Sequence, residues 1–158
     1  FNRFCKRAHS SKEIMPHIPK KLIDEMIEHA IDDLPNEACG QVNGKNGRPL
    51  TVNRVKNSAA SPFRYSMDPL AMLKLEQARE ETGEYLFAIY HSHVASEAYP
   101  SQTDIRQAFF PPGELDRQPM FPDCYYILVS LAHDPPEVRA FRIRQGGLVE
   151  EELIKSED

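Results

Sequence analysis

The sequence predicts one α/β domain in which a mixed β-sheet is flanked by helices. Three observations carry that expectation. The length of 158 residues suits a single domain with one hydrophobic core. Two stretches, at about 19–33 and 68–83, have helical spacing and helix-type boundaries. Compact apolar runs at 85–90 (YLFAIY) and 125–129 (YYILV) are rich in aromatic and β-branched residues and read as buried strands. Helices mixed with non-alternating strands pack as two or three layers around a mixed sheet.

Each element follows in order. Residues 1–14 (FNRFCKRAHSSKEI) show no apolar core of signal-peptide length and are set aside as an N-terminal tail, with Met15 read as the natural start. Pro19 suits a first helical turn, and Leu22, Ile23, Met26, Ile27, Ala30 and Ile31 then fall on one helical face. Between 38 and 67, Gly40, Gly44 and Gly47 punctuate short segments carrying Leu50, Val52 and Val55, the pattern of a hairpin. Asp68 is placed as an N-cap, Pro69 as the first residue of a second helix carrying Leu70, Met72, Leu73, Leu75 and Ala78, and Gly83 as its stop. The strand at 85–93 (YLFAIYHSH) comes next, then a break at Pro100 and a short helix over about 101–110. Strands at about 124–131 and 137–144 follow. The domain is expected to span 15–150, and the acidic end, 151–158, to be a solvated tail.

Composition excludes several classes of function. Nineteen Lys and Arg against 24 Asp and Glu give a formal charge of −5, the wrong sign for a domain that binds by neutralising phosphates. No apolar run approaches the roughly 20 residues of a membrane-spanning helix. Cys5, Cys39 and Cys124 are too few and scattered for a disulfide framework, and no CxxC pair is present. A soluble protein of the reducing cytoplasm is expected.

The informative stretch is 90–104, YHSHVASEAYPSQTD. His91 and His93 are two apart, so at a strand end both imidazoles point to one side and can share a metal. Asp104 is the third candidate ligand, swung back toward the strand by the break at Pro100. A His, His, Asp set leaves one tetrahedral position open for water, as in a catalytic zinc site. The competing readings are ordinary ones: an HxH pair has many other roles, and Ser101 to Asp104 fits the S-x-x-D capping box. Asp104 has one carboxylate to place, so ligation is expected to take it away from capping. Cys39 and Cys124 read as small buried hydrophobes rather than nucleophiles. His17, His29 and His133 read as surface or packing residues, and Glu97 and Tyr99 as residues that could shape a substrate groove.

The form H-x-H, seven residues, S, two residues, D, together with Glu37 in the upstream run Pro35, Asn36, Glu37, Ala38, Cys39, Gly40, resembles the JAMM motif of MPN-plus metalloproteases. The resemblance covers about residues 15–150 and implies an MPN-like domain with a curved mixed sheet and cytidine-deaminase-like layering. It implies one zinc ion held by His91, His93 and Asp104. Glu37 would act as the general base and acid, and Ser101 would donate a hydrogen bond to the oxyanion. The run 96–101 and the P-x-E-A-C-G segment look most like the small bacterial members that act on ubiquitin-like sulfur-carrier proteins in cysteine biosynthesis.

That resemblance implies hydrolysis of the amide after a C-terminal Gly-Gly of such a carrier, releasing cysteine or a short extension. The tail is expected to dock as a strand added beside the sheet. An isopeptidase cutting a ubiquitin-like modifier from lysine is the alternative enzyme, and a silent MPN scaffold the alternative class. A deaminase is disfavoured by the absence of P-C-x-x-C. A homodimer is left open. The loop at 110–123 is longer than in the small bacterial members, and either contacts a partner or packs over the domain edge.

Overall fold

Pro19 sits between the first two elements. β1 (His17–Pro19) ends on it, and α1 (Lys20–Asp32) begins one residue later, with Pro19 as an extended N-cap (φ −55°, ψ 139°). The protein, a computed structural model, is described over residues 15–157, so the tail at 1–14 and Cys5 lie outside the described residues. α1 is one residue shorter at each end than its spacing predicts. It buries Leu22, Met26, His29 and Ala30, while Ile31 sits about 100° around the helix from Ala30 and is exposed.

β2 (Cys39–Lys45) and β3 (Arg48–Val55) form the expected hairpin. Its turn is Asn46-Gly47, both at positive φ (54° and 80°), the conformation that favours Asn-Gly in two-residue hairpins. α2 (Pro69–Thr82) has the boundaries that the sequence places: Asp68 Oδ2 accepts from the Ala71 N–H at 3.0 Å, and Gly83 ends the helix at φ 72°. Its packing is less expected. Ala71, Met72 and Leu75 are only partly buried, Leu70 and Leu73 are exposed, and the buried side chain is Arg79. The Arg79 guanidinium donates to Gln41 Oε1 (2.7 Å) and Asn43 Oδ1 (3.2 Å), so α2 is tied to β2 by polar contacts.

β4 (Tyr85–His93) is followed by the short α3 (Gln102–Gln107), then β5 (Tyr125–Ser130), β6 (Glu137–Arg144), β7 (Leu148–Glu152) and β8 (Lys155–Glu157). Six strands form one mixed sheet in the order β3-β2-β4-β5-β6-β7, parallel only between β4 and β5. Alternation along β5 sends Tyr125, Ile127 and Val129 to the α1 face, and Tyr126 and Leu128 to the opposite face, where Ile89, Phe109 and Phe141 pack. Among the described residues no helix is long and apolar enough to cross a membrane.

The expected acidic tail is a correction. Residues 148–152 form an edge strand and 155–157 pair in parallel with β1. Its acids are held by arginines of β6: Glu151 takes both donors of Arg139 (2.9 and 2.8 Å), and Glu150 takes Arg144 (3.2 Å). These charge pairs cross between β6 and β7, and Val149 of the same strand packs against the core. In the 110–123 loop Leu115 packs on the core, the second of the two alternatives expected of it, while Phe110 is 70% exposed and Met120 and Phe121 are also exposed.

Gly40 pairs with Tyr90 across β2 and β4, and a Cβ there would lie 2.4 Å from the Tyr90 ring. That ring cannot retreat, because the Tyr90 hydroxyl is hydrogen-bonded to His29 Nδ1 (2.6 Å), whose Nε2 meets Asp33 (3.1 Å). His29 is thus a buried structural residue, with burial lowering its pKa. Gly40→Ala is expected to destabilise the fold by about 1–3 kcal/mol through overpacking, read by thermal denaturation.

Candidate metal-dependent active site

β4 delivers two imidazoles to one face because its side chains alternate. His91 and His93 face the same side as Ile89, while Tyr90 faces α1. α3 then brings Asp104 over them. Asp104 Oδ2 lies 3.1 Å from His91 Nε2 and 3.1 Å from His93 Nε2, and the two Nε2 atoms are 3.3 Å apart. All three residues are buried, and they are the one such group of potential metal ligands among the described residues.

The donor set fits a small divalent cation. Three donor atoms separated by 3.1–3.3 Å sit at three corners of a tetrahedron whose centre lies about 2 Å from each, the length of a zinc bond to nitrogen or oxygen. His93 Nδ1 donates to the Glu97 carbonyl at 2.7 Å, which in the neutral ring leaves the Nε2 lone pair facing the shared point. Tyr65 stacks on the His91 ring (centroids 4.4 Å apart, 28° between planes) and fixes its plane.

The Asp104 oxygen that faces the two imidazoles is also the one that closes the cap of α3. Oδ2 itself also accepts from the Ser101 N–H (2.8 Å), while the Asp104 N–H donates to Ser101 Oγ (3.0 Å), completing the capping box. The Ser101 oxygen is an acceptor in the cap, so its own proton is available to a ligand. Burial pushes the Asp104 carboxyl up, but His91, His93 and the Ser101 N–H outweigh it and hold it well below the usual range. Burial likewise lowers His91, whereas in His93 the bonds to Asp104 and Glu97 outweigh burial and raise it.

Glu37 enters from the loop after α1. Only 4% of it is exposed, and burial pushes its carboxyl up to about 7. Its Oε2 is buried with no protein partner, as is His91 Nδ1. The backbone around it is tightly held. The Glu37 N–H donates to the Ser61 carbonyl (2.9 Å), Asn57 Nδ2 to the Glu37 carbonyl (3.0 Å), and the Ala38 N–H to Ser92 Oγ (2.8 Å). Ser92 stands between the two histidines, so one side chain links the ligand strand to the Glu37 segment. Ser92→Ala leaves the buried Ala38 N–H without its acceptor and is expected to cost about 1–3 kcal/mol in a denaturation experiment. An open cleft of about 560 Å³ lies beside Glu37, lined also by Asn36, Arg54, Lys56, Asn57 and Ala60.

The structure therefore gathers His91, His93, Asp104 and Ser101, and sets Glu37 near enough for His93 and Asp104 to act on its charge. Cys39 is a buried thiol pushed up to about 12 by burial, as its hydrophobic reading requires, and Cys124 is buried too. Tyr99 and Glu97 are exposed beside the site; Glu97 contributes its carbonyl. β4 is paired with β2 on one flank and β5 on the other, and the outer strands of the six-stranded sheet are β3 and β7. Tyr65, Ser92 and Asn57 carry no motif of their own, and the sequence did not single them out.

The sequence profile of Prok-JAB, the prokaryotic homologs of the JAB domain, matches residues 19–144. The chain belongs to this family. A relative from Mycobacterium tuberculosis named CysO-cysteine peptidase is 40% identical over 134 residues, covering 82% of this chain and 84% of the relative. A Thermus thermophilus protein named probable TtuB-protein conjugate cleaving protease is 38% identical over 96 residues, covering 58% and 62%. A solution structure from Desulfitobacterium hafniense superposes with a TM-score of 0.75 at 33% identity, covering 91% of this chain and 94% of the other. A JAB1/MPN domain protein from Archaeoglobus fulgidus shares the fold, with a TM-score of 0.54 at 17% identity and coverage of 91% and 100%. The mixed α/β sheet expected of an MPN-like domain is the fold of this Prok-JAB member.

Proposed function

We propose that this Prok-JAB protein is a zinc-dependent peptidase that hydrolyses the amide bond following a C-terminal Gly-Gly of a ubiquitin-like sulfur-carrier protein, releasing cysteine or a short extension. The observation that carries the chemistry is the cluster of three buried donor atoms, together with a Glu37 carboxyl whose buried Oε2 has no protein partner and on which the charges of His93 and Asp104 act. His91, His93 and Asp104 would hold the ion, whose Lewis acidity polarises the scissile carbonyl and makes water acidic near neutral pH. Glu37 takes a proton from the attacking water on Oε2 and passes it to the leaving nitrogen as the C–N bond breaks. Burial, which raises this carboxyl in the metal-free protein, makes it a stronger base for the first transfer and a holder of the proton for the second. Ser101 donates a hydrogen bond from its hydroxyl to the developing oxyanion.

The carrier assignment is supported by the 40% identity to a CysO-cysteine peptidase over most of both chains. The relative named for cleaving TtuB-protein conjugates favours a second reading, release of a ubiquitin-like modifier from a lysine. Intact-mass spectrometry of a carrier ending in Gly-Gly-Cys separates them. Loss of one cysteine with zinc-loaded protein, and none with chelator-treated protein, supports the first reading. An intact carrier, with cleavage of a carrier–lysine conjugate, supports the second.

A further inference from the structure

We propose that Asn57 is a positioning residue for Glu37, clamping the backbone of the general base to the 58–66 turn that also carries Tyr65 onto the His91 ring. The inference rests on the role given to Glu37 above. Asn57 follows β3, only 8% of it is exposed, and its side-chain amide is fully used. Nδ2 donates to the carbonyls of Glu37 (3.0 Å) and Arg64 (3.1 Å), while Oδ1 accepts from the N–H groups of Ala59 (3.0 Å) and Ser66 (2.9 Å). Two donors and two acceptors are all that an asparagine amide offers in this geometry, and reversing it would break all four bonds.

The four bonds join two segments that have different duties at the site. One is the Glu37 loop, whose N–H is held from the same turn by the Ser61 carbonyl. The other is the turn itself, closed by Ser58 N–H on the Ser66 carbonyl (2.7 Å) and bent through Ala60 at a positive φ of 44°. A left-handed alanine persists only where its surroundings hold it, and Asn57 binds the turn on both sides of Ala60. Tyr65, the residue before Ser66, lies against His91. The base is thus referenced to the same turn that lays Tyr65 on His91. Displacing a reacting group by about 1 Å can cost on the order of 100-fold in rate.

Two variants separate the clamp from the turn. Asn57→Asp keeps the oxygens that accept from Ala59 and Ser66 but loses the donors to Glu37 and Arg64, whereas Asn57→Ala loses all four. With zinc-loaded protein and a carrier ending in Gly-Gly-Cys, both variants are expected to lose about 10- to 100-fold in kcat. KM should stay within about twofold of wild type, because only positioning of the reacting group is lost. Zinc content should stay at one ion per chain. Amide hydrogen exchange should show loss of protection at Glu37 and in the 58–66 turn, with β4 and β5 unchanged.

Wild-type kcat and exchange in Asn57→Asp, with only Asn57→Ala impaired, would overturn the proposal and leave Asn57 as a turn residue. A fall in zinc content that matches the fall in kcat would also overturn it, by placing the effect on the metal ligands. If the wild-type protein cleaved no substrate, the peptidase reading would fail, and unchanged exchange at Glu37 in both variants would separately remove the clamp.

Discussion

Glu37→Gln is expected to retain one bound zinc ion and lose hydrolysis by about 10²- to 10⁴-fold, the contribution of a positioned general acid–base group. Gln has the shape of Glu but can neither take nor return a proton. Glu37 lies outside the His91, His93, Asp104 set, so nothing in its replacement removes a ligand. Loss of zinc in parallel with activity would instead make Glu37 part of the metal site. The same variant tests the buried carboxyl by its effect on stability. The pKa of Glu37 is raised on folding, from 4.5 to about 7, chiefly by burial. The native state therefore holds this proton more tightly than the unfolded chain, and stability from this group falls as pH rises through that window. In metal-free protein, Glu37→Gln is expected to be more stable than wild type above pH 7 and to converge on it below the unfolded value of 4.5. The ceiling is about 3 kcal/mol, reduced by solvent screening at the cleft. Denaturant melts at pH 5 and pH 8 measure it; an advantage for Gln that is larger at pH 5 would contradict the assigned environment.

Asp104→Ala is expected to have the largest effect of any single change, because one oxygen serves three neighbours. Oδ2 meets His91 Nε2, His93 Nε2 and the Ser101 N–H, so its removal takes away a ligand and half of the capping box together. Zinc should fall to well below one per chain, with hydrolysis lost to background. Loss of the cap bond adds about 1 kcal/mol of destabilisation in the metal-free protein. Asp104→Asn separates the two roles: it retains an oxygen for the Ser101 N–H but removes the negative charge. Its melting temperature without metal should therefore lie nearer wild type than that of Asp104→Ala, while its zinc affinity falls. Zinc bound stoichiometrically by Asp104→Ala would contradict the ligand set.

What was legible in the sequence is local. Asp68, Pro69 and Gly83 announce α2 because capping chemistry acts within a few residues, and His91 and His93 can be placed on one face because strand alternation is a two-residue rule. The spacing from His93 to Ser101 and Asp104 identifies the family because those residues come from one short, continuous stretch. What escaped is set by contact between distant segments. Tyr65 reaches His91 only after the 58–66 turn folds back, and Asn57 meets Glu37 across the end of the hairpin. Neither contact leaves a periodicity. β7 escaped for another reason: its acids resemble a solvated tail until Arg139 and Arg144 on β6 are placed diagonally across from them. That one Asp104 oxygen both faces the two imidazoles and closes the capping box was also illegible, because a single oxygen accepts from several directions.

The most direct test of the metal-centred account is anomalous diffraction at the zinc edge from crystals of zinc-loaded protein. The expected result is one peak per chain, at the point shared by His91 Nε2, His93 Nε2 and Asp104 Oδ2. No peak at that point, or zinc bound only to other side chains, would contradict it.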